Sequence, residues 1–364
     1  MKITLTPGLG VGPEVTDMLL EVFRAADVPH AFEEFELTDD GQLPEAALAS
    51  AERTGLVLRG PLGDAGAALD EVLRDRWSAF ASKRVFRMFP GVPTPIGLRP
   101  LNLTLVQEIP SRDDSGAEQM LDADRAQSQR IVSRSSALRL HRYVFAMAER
   151  KGARRVTCGH RADVRQVSDG LYLECFYEVA QAYPHLCADD VAIDQLARKL
   201  VVEPESFDVL VVPQMDGDIL SDLSVGLVGG VSYAPAATIG EQVASFGPQH
   251  GAMEAQAGAD RANPSAMLLA GCMLLRHTGF ESHAVRIESA LQQALYQMQH
   301  REDVRRWVPG FRTSVFRHLM LASLAGQERR RDWLRTAEAR QATNETPLYG
   351  VSTPSMGPQL EGLA

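Results

Sequence analysis

What this sequence lacks narrows its chemistry before any motif is considered. It has no surplus of positive charge: 37 Lys and Arg stand against 47 Asp and Glu, a formal net charge of −10. A surface of that sign gives no general attraction to a phosphate backbone, so nucleic acid is not an expected partner. Cysteine is scarce. Cys158, Cys175, Cys187 and Cys272 have neither metal-ligand spacing nor the density of a disulfide scaffold, and they read as reduced, buried thiols. There is no long uninterrupted apolar run. The best candidate, Leu223 to Ile239, is broken by Ser224, Gly226, Gly229, Gly230, Ser232 and Pro235, so no membrane span is expected. The start, Met1 to Pro7, moves directly into a strand pattern without the charged region and apolar core of a signal peptide. Together these absences point to a cytoplasmic protein.

What is present is length and apolar content: 364 residues, 45% hydrophobic, enough for a large core and two lobes. Short β-like runs (Ile3–Thr6, Leu56–Leu58, Leu103–Val106, Val156–Cys158, Val209–Val212) alternate with helical patterns (Glu14–Ala25, Ala67–Ser82, Ser135–Arg150, Leu171–Ala182, Ile193–Leu200). That alternation predicts an α/β fold. From Pro264 onward apolar residues recur at helical spacing. Pro110–Gln127, rich in Asp, Ser and Gln, reads as an exposed loop or arm, and the chain from about Gln327 as a frayed or partner-docking tail.

Chemistry concentrates in Gln214-Met215-Asp216-Gly217-Asp218-Ile219-Leu220-Ser221-Asp222, directly after an apolar strand. A helix beginning near Asp218 would set Asp218 and Asp222 at i and i+4 on one face, where two carboxylates can share a hard cation such as Mg²⁺ or Mn²⁺. The same acids would serve equally well as caps at a helix N-terminus. Spacing alone leaves both open.

The surrounding phrases carry more. Ser168-Asp169-Gly170-Leu171, Tyr183-Pro184, Phe207-Asp208-Val209, Gly217-Asp218-Ile219-Leu220-Ser221-Asp222, Gly226-Leu227-Val228-Gly229-Gly230 and Ala262-Asn263-Pro264 follow one another in an order that resembles the isocitrate/isopropylmalate dehydrogenase family, the metal-dependent β-decarboxylating dehydrogenases. The resemblance implies two α/β lobes around a central active-site cleft and a nucleotide site that is not of Rossmann type. It places a large nucleotide-binding lobe at 1–90 and 235–326, a small lobe with dimer interface and arm at 91–234, and a C-terminal tail at 327–364. The glycines of Pro7-Gly8-Leu9-Gly10-Val11-Gly12-Pro13 do not match G-x-G-x-x-G, which agrees with a non-Rossmann pocket.

By the same resemblance, Asp218 and Asp222 are two metal carboxylates of one subunit, and Asp194 is a third, donated across a homodimer with shared active sites. Arg74 and Arg84 match the family's substrate-clamping arginines, planar forks suited to carboxylates. Gly60, Pro61, His250, Gly251, Glu254 and Asn263 fall at nucleotide-contacting positions. With no basic residue in Met253–Ala257 to hold a ribose phosphate, NAD is favoured over NADP.

Several departures stand out. Gln107 replaces a third clamping arginine, the family's catalytic tyrosine has no counterpart between Trp77 and Tyr143, and Ala68 and Asp70 stand where Ser and Asn usually precede the first arginine. Arg161 stands in place of the catalytic lysine, and Asp163 in place of the asparagine that follows it. Arginine does not deprotonate near neutrality, so Arg161 would clamp substrate or stabilise negative charge, with His160 or Asp163 handling the proton. The expected activity is metal- and NAD-dependent oxidation, with β-decarboxylation, of a malate-like 2-hydroxy diacid. The alternatives are a catalytically impaired ligand-binding or regulatory homologue and a metal-dependent decarboxylase or lyase without net oxidation.

Overall fold

The computed structural model describes residues 2–342 except 39–40, 64, 98–99, 115, 117 and 301–310, and at 65, 67 and 328–342 the backbone alone. Residues 1–324 form one compact unit and 325–364 a second.

The first unit is built on one ten-stranded sheet in the order β2-β1-β3-β12-β11-β4-β5-β10-β8-β9. In chain order its strands are β1 (Lys2–Thr6), β2 (Ala31–Glu34), β3 (Leu56–Arg59), β4 (Ala81–Arg87), β5 (Asn102–Glu108), β8 (Arg155–His160), β9 (Cys187–Ala192), β10 (Val209–Val212), β11 (Pro235–Ile239) and β12 (Ala244–Pro248). One half, β2-β1-β3-β12, is parallel, and so is the other, β5-β10-β8-β9. The antiparallel strands β11 and β4 join them. The buried strand Val209–Val212 is an unbroken apolar run, as a parallel strand covered on both faces should be.

The helices are α1 (Gly12–Ala25), α2 (Glu45–Thr54), α3 (Ala65–Asp75), α4 (Arg134–Lys151), α5 (Ser168–Ala180), α6 (Ile193–Val202), α7 (Gln214–Leu227), α8 (Ser265–His277), α9 (Glu281–His300) and α10 (Thr313–Ala342). Helix α8 is buried along nearly its whole length, which is why its apolar residues show so little alternation. No helix among the described residues is long and apolar enough to cross a membrane.

Away from α7, sequence and structure differ in four places. The helix predicted over Ala67–Ser82 stops at Asp75, because Trp77 is buried and Ser78 adopts a left-handed φ of 50° that turns the chain into β4. The loop predicted over Pro110–Gln127 contains a small antiparallel hairpin, β6 (Glu118–Met120) with β7 (Ala126–Ser128). Cys187 opens edge strand β9 and is exposed, whereas Cys158, Cys175 and Cys272 are buried and free as expected. Residues 327–342, read as the start of a tail, continue helix α10, and 343–364 lie outside the described residues.

Candidate functional site

Pro213, which can extend neither a strand nor a helix backwards, ends β10 and starts α7 at Gln214, four residues before the position expected from sequence. This shift bears on the capping reading of the acids. In the first turn, where a carboxylate meets the helix dipole, stands Asp216; Asp218 and Asp222 lie about one and two turns in from Gln214 and are exposed. They do not cap the helix. Their i, i+4 relation survives, and both residues are exposed.

Facing them is Arg84, with Nη2 3.6 Å from Asp218 Oδ1. Strand alternation puts Arg84 on the sheet face that α7 covers. On neighbouring β5, Gln107 is 4% exposed, and its Nε2 donates to the Gln214 carbonyl (2.7 Å) and to Asp218 Oδ1 (2.9 Å). Gln107, expected at the substrate, is thus committed to holding α7 and aiming Asp218, with only buried Oε1 unpartnered. Gly217 is what allows this: a Cβ there would meet Gln107 Cγ at 2.5 Å. Asp222 is flanked by Gln249, whose Nε2 reaches Ser221 Oγ at 3.0 Å and Asp222 Oδ1 at 3.4 Å.

Arg74 is less directly placed. Its Nε donates to Asp75 Oδ1 (3.1 Å), and it shares with Arg59 and Arg84 the neighbourhood of Asp70. Loss of water around Asp70 raises its carboxyl above the usual range, and the three guanidiniums pull it back. Burial likewise lowers Arg84, against the pull of Asp218 and Asp222.

At the end of β8 the chain turns through His160 and Arg161. His160 Nδ1 accepts from the Ala162 amide (3.0 Å), so Nε2 carries the proton it donates to Asp190 Oδ2 (2.8 Å). Both nitrogens are therefore engaged within the chain, and His160 acts as an anchor for the turn. The Arg161 amide donates to Asp169 Oδ2 (2.7 Å), and Asp169, fully buried, is bound on its other oxygen by Arg130, which also lies 3.6 Å from buried Glu108. Arg161 Nε is 4.0 Å from exposed Asp163 Oδ1. Asp216 sits in the field of Arg165, Arg130 and Arg161, yet burial raises its carboxyl, and its Oδ2 has no partner. Sequence reasoning missed this framework of Glu108, Arg130, Asp169, Asp190 and Asp216. Asp169 and Asp216 stood inside quoted motifs, but nothing in the spacing marked them as buried.

Asp194, second residue of α6, is exposed. Among the described residues no three His, Cys, Asp or Glu side chains gather as a metal cage within one chain. Asp218 and Asp222 offer two hard oxygen donors on one face, a set that fits half of a Mg²⁺ or Mn²⁺ site.

The nucleotide candidates meet because β3 and β12 are parallel neighbours: Gly60-Pro61 and Gln249-His250-Gly251 leave the sheet side by side. Onto them folds the loop Pro7–Pro13, with Leu9 N donating to Pro61 O (2.8 Å) and Val11 N to Ala252 O (2.9 Å). The glycines permit this contact: a Cβ on Gly60 would lie 1.8 Å from Pro7 O, and Gly10, at φ 58°, would clash with Ala252 O. His250 is buried, which lowers its ring pKa, and it carries a proton on Nδ1 bound to Gly251 O (2.9 Å). Asn263 accepts from Ser265 N (3.1 Å) and Oγ (2.6 Å), fixing the start of α8. Glu254 is exposed in a short 3-10 turn.

A family model described as isocitrate/isopropylmalate dehydrogenase matches residues 2–317. The chain belongs to the isocitrate/isopropylmalate dehydrogenase family. Members of that family are metal-dependent, NAD(P)-linked decarboxylating dehydrogenases. The chain is 33% identical over 343 residues to an NADP isocitrate dehydrogenase of Thermus thermophilus, covering 90% of this chain and 68% of that one. It is 34% identical over 310 residues to a 3-isopropylmalate dehydrogenase of Archaeoglobus fulgidus, covering 83% and 94%. A regulatory subunit of an NAD isocitrate dehydrogenase from Dictyostelium discoideum matches at 32% identity, covering 83% and 85%. The crystal structure of isocitrate dehydrogenase from Methylococcus capsulatus superposes with a TM-score of 0.77 at 30% identity, covering 89% of this chain and 99% of that one.

Proposed function

We propose that this chain is a divalent-metal- and NAD-dependent dehydrogenase that oxidises, with β-decarboxylation, a malate-like 2-hydroxy diacid. The observation that carries the reading is the approach of Arg84 to Asp218, on a helix whose acids are released from capping. A carboxylate fork and two cation ligands thereby face one space.

In this reading Asp218 and Asp222 hold Mg²⁺ or Mn²⁺ with Asp194 of a second copy. When bound, the metal supplies Lewis-acid polarisation of the substrate's oxygen, and NAD supplies the hydride acceptor. Arg84, assisted by Arg74, binds the carboxylate remote from the metal. Gln107 keeps Asp218 aimed and α7 anchored. Arg161, its backbone pinned to buried Asp169, presents a permanent fork toward developing negative charge, a task that needs no proton exchange. Because both His160 nitrogens are already engaged, exposed Asp163 is the better-placed group to move the proton. Gly60, Pro61, His250, Gly251, Glu254 and Asn263 form the nucleotide side. Neutral His250, with Nδ1 tied to Gly251, offers an apolar ring face and one acceptor nitrogen, which suits a nucleobase.

The homodimer rests on exposed apolar side chains beside these groups. Met215 and Ile219 stand out from α7, and Val164 and Val167 from the turn after Arg161, at 64, 69, 65 and 88% exposure. Covering one such side chain with a second copy contributes roughly 1.5–3 kcal/mol. Complementation tests it: Asp194→Asn and Asp218→Asn homodimers should each be inactive, and refolding them together should restore activity through the one intact shared site. No recovery on mixing would mean that each chain carries its own complete site.

One observation favours a second reading. Regulatory subunits match this chain about as well as catalytic enzymes do, and Arg161 has lost lysine's proton chemistry. Purified protein incubated with Mn²⁺, NAD or NADP and a panel of malate and 2-keto-diacid derivatives separates the cases. Reduced nicotinamide supports the dehydrogenase, CO₂ alone a lyase, and neither a regulatory or binding subunit.

A further inference from the structure

Strands β8 and β9 run parallel, with Cys158 opposite Asp190 and His160 opposite Ala192. Partners in such a register share a sheet face, as do residues two apart on one strand, so Cys158, His160 and Asp190 all point the same way. Helix α5 packs on that face, and from it Tyr177 donates its hydroxyl to Asp190 Oδ1. The other oxygen, Asp190 Oδ2, accepts from His160 Nε2 at 2.8 Å. His160 is buried, and its Nδ1 accepts from the Ala162 amide at 3.0 Å. This chain of bonds cannot run in reverse, because a backbone amide only donates and a carboxylate only accepts. Every proton in it is therefore assigned: the ring that makes both bonds is neutral, with Nδ1 bare.

What the ring holds is one peptide group. The unit joining Arg161 to Ala162 is bonded at both polar ends, its N–H to His160 Nδ1 and its carbonyl to the amides of Val164 and Arg165 (2.9 and 2.7 Å). The preceding unit is pinned through Arg161 N on Asp169 Oδ2 (2.7 Å). With the planes on either side of Arg161 fixed, its φ and ψ are fixed too, and so is the direction in which its side chain leaves the turn. An imidazolium would undo this. Its Nδ1 carries a proton, so two N–H donors would face each other across the 3.0 Å that now hold a hydrogen bond. No neighbouring acid takes over: Asp190 binds the opposite ring nitrogen, Asp169 is held by Arg130 and the Arg161 amide, and Asp163 lies 4.0 Å from the Arg161 fork. Arg165, in the same turn, is a further cation. Burial raises the Tyr177 phenol, with the Asp190 carboxylate adding to it, and raises the Cys158 thiol, so both stay protonated. His141, on α4, is pushed down to about 3 by burial and stays neutral. Of the side chains around the turn, His160 is thus the one whose type ordinarily changes charge between about pH 5 and pH 8.

We propose that His160, aimed by Asp190 and Tyr177, is a pH-sensitive latch on the Arg161 turn: the neutral ring holds the peptide between Arg161 and Ala162, and the protonated ring releases it. The functional half of this inference rests on the reading that Arg161 serves the reaction. His160 is then a positioning residue that acts through the turn, and acid disarms Arg161 without any change in the charge of the arginine itself.

Hydrogen exchange at the Ala162 amide of the full chain, compared at about pH 8 and about pH 5 and divided by the intrinsic rate at each, reads the latch directly. Protection should fall roughly fivefold at the lower pH, the loss expected for one hydrogen bond. His160→Asn should show equal protection at both, since its side-chain oxygen can accept from Ala162 N where Nδ1 does and does not titrate. Should that variant fold poorly, Asp190→Ala, at an exposed position, frees the ring and should lower the protection at both pH values. Protection that is unchanged on acidification of the unsubstituted protein, that falls equally in His160→Asn, or that survives Asp190→Ala would overturn the latch. In steady-state assays kcat should fall less steeply toward acid in His160→Asn than in the unsubstituted protein, and an equal fall would overturn the gating of Arg161. Exchange needs no turnover, so a chain without activity would count against the dehydrogenase reading while the exchange result still decides the latch.

Discussion

Helix α7 and the turn after β8 meet where Asp216 of α7 lies in the field of Arg165 and Arg161, but they differ in kind. On α7 the matching acids are present, and Arg84 and Gln107 approach Asp218 from the strands beneath. In the Gly159–Val167 turn the reading proposed above puts an arginine where the family has a lysine, while side-chain bonds hold the turn: His160 on Asp190, Arg161 N on Asp169, and buried Asp169 on Arg130. A degraded corner would be expected to lose its scaffold with its chemistry. Here the scaffold is intact and presents a different cation.

The largest effect expected from breaking this comparison is on α7. Asp218→Asn and Asp222→Asn should each weaken Mn²⁺ binding by about a hundredfold or more, since loss of even an outer partner of a metal ligand costs 10–100-fold. Calorimetric titration checks it, and unchanged affinity would remove the acids from the site. Arg84→Ala comes next. Losing one charged donor to a carboxylate should raise the KM for the diacid roughly tenfold to a hundredfold with the fold preserved by circular dichroism. Arg161→Lys sharpens the contrast: if the fork is the working group, kcat falls by about tenfold. A gain in kcat would identify the turn as a decayed lysine site.

The smallest effect lies on the far face of β4. Burial holds Lys83 at about 8, below its unfolded value, so the folded state binds fewer protons between that pH and the unfolded lysine pKa of roughly 10.5. Stability should therefore rise with pH across that window. Lys83→Met should melt at a higher temperature than the unsubstituted protein near neutrality, and the difference should vanish above the window. A difference independent of pH would mean that the methionine acts by packing alone.

The alternation of elements and the family were legible in the sequence because they reside in local pattern and in contiguous phrases such as Gly217–Asp222. The start of α7 was not, since the position of Asp218 suggested a helix edge while Pro213 set it four residues earlier. Nor were the roles of Gln107 and His160. Each is defined by partners distant in sequence, Asp218 and Asp190, brought together only by the strand order β5-β10-β8-β9. Lys83 gave no signal at all, because a lysine beside an arginine on a short strand is unremarkable until the sheet separates their faces.

The central claim is that Arg84, Asp218 and Asp222 serve a metal-dependent oxidation. Mn²⁺-dependent formation of reduced nicotinamide from a malate-type diacid, followed in parallel with CO₂ release, tests it most directly. The account predicts that both products appear together, require the metal and disappear in Asp218→Asn. Formation of neither product across the diacid panel, by protein shown calorimetrically to hold Mn²⁺, would contradict it.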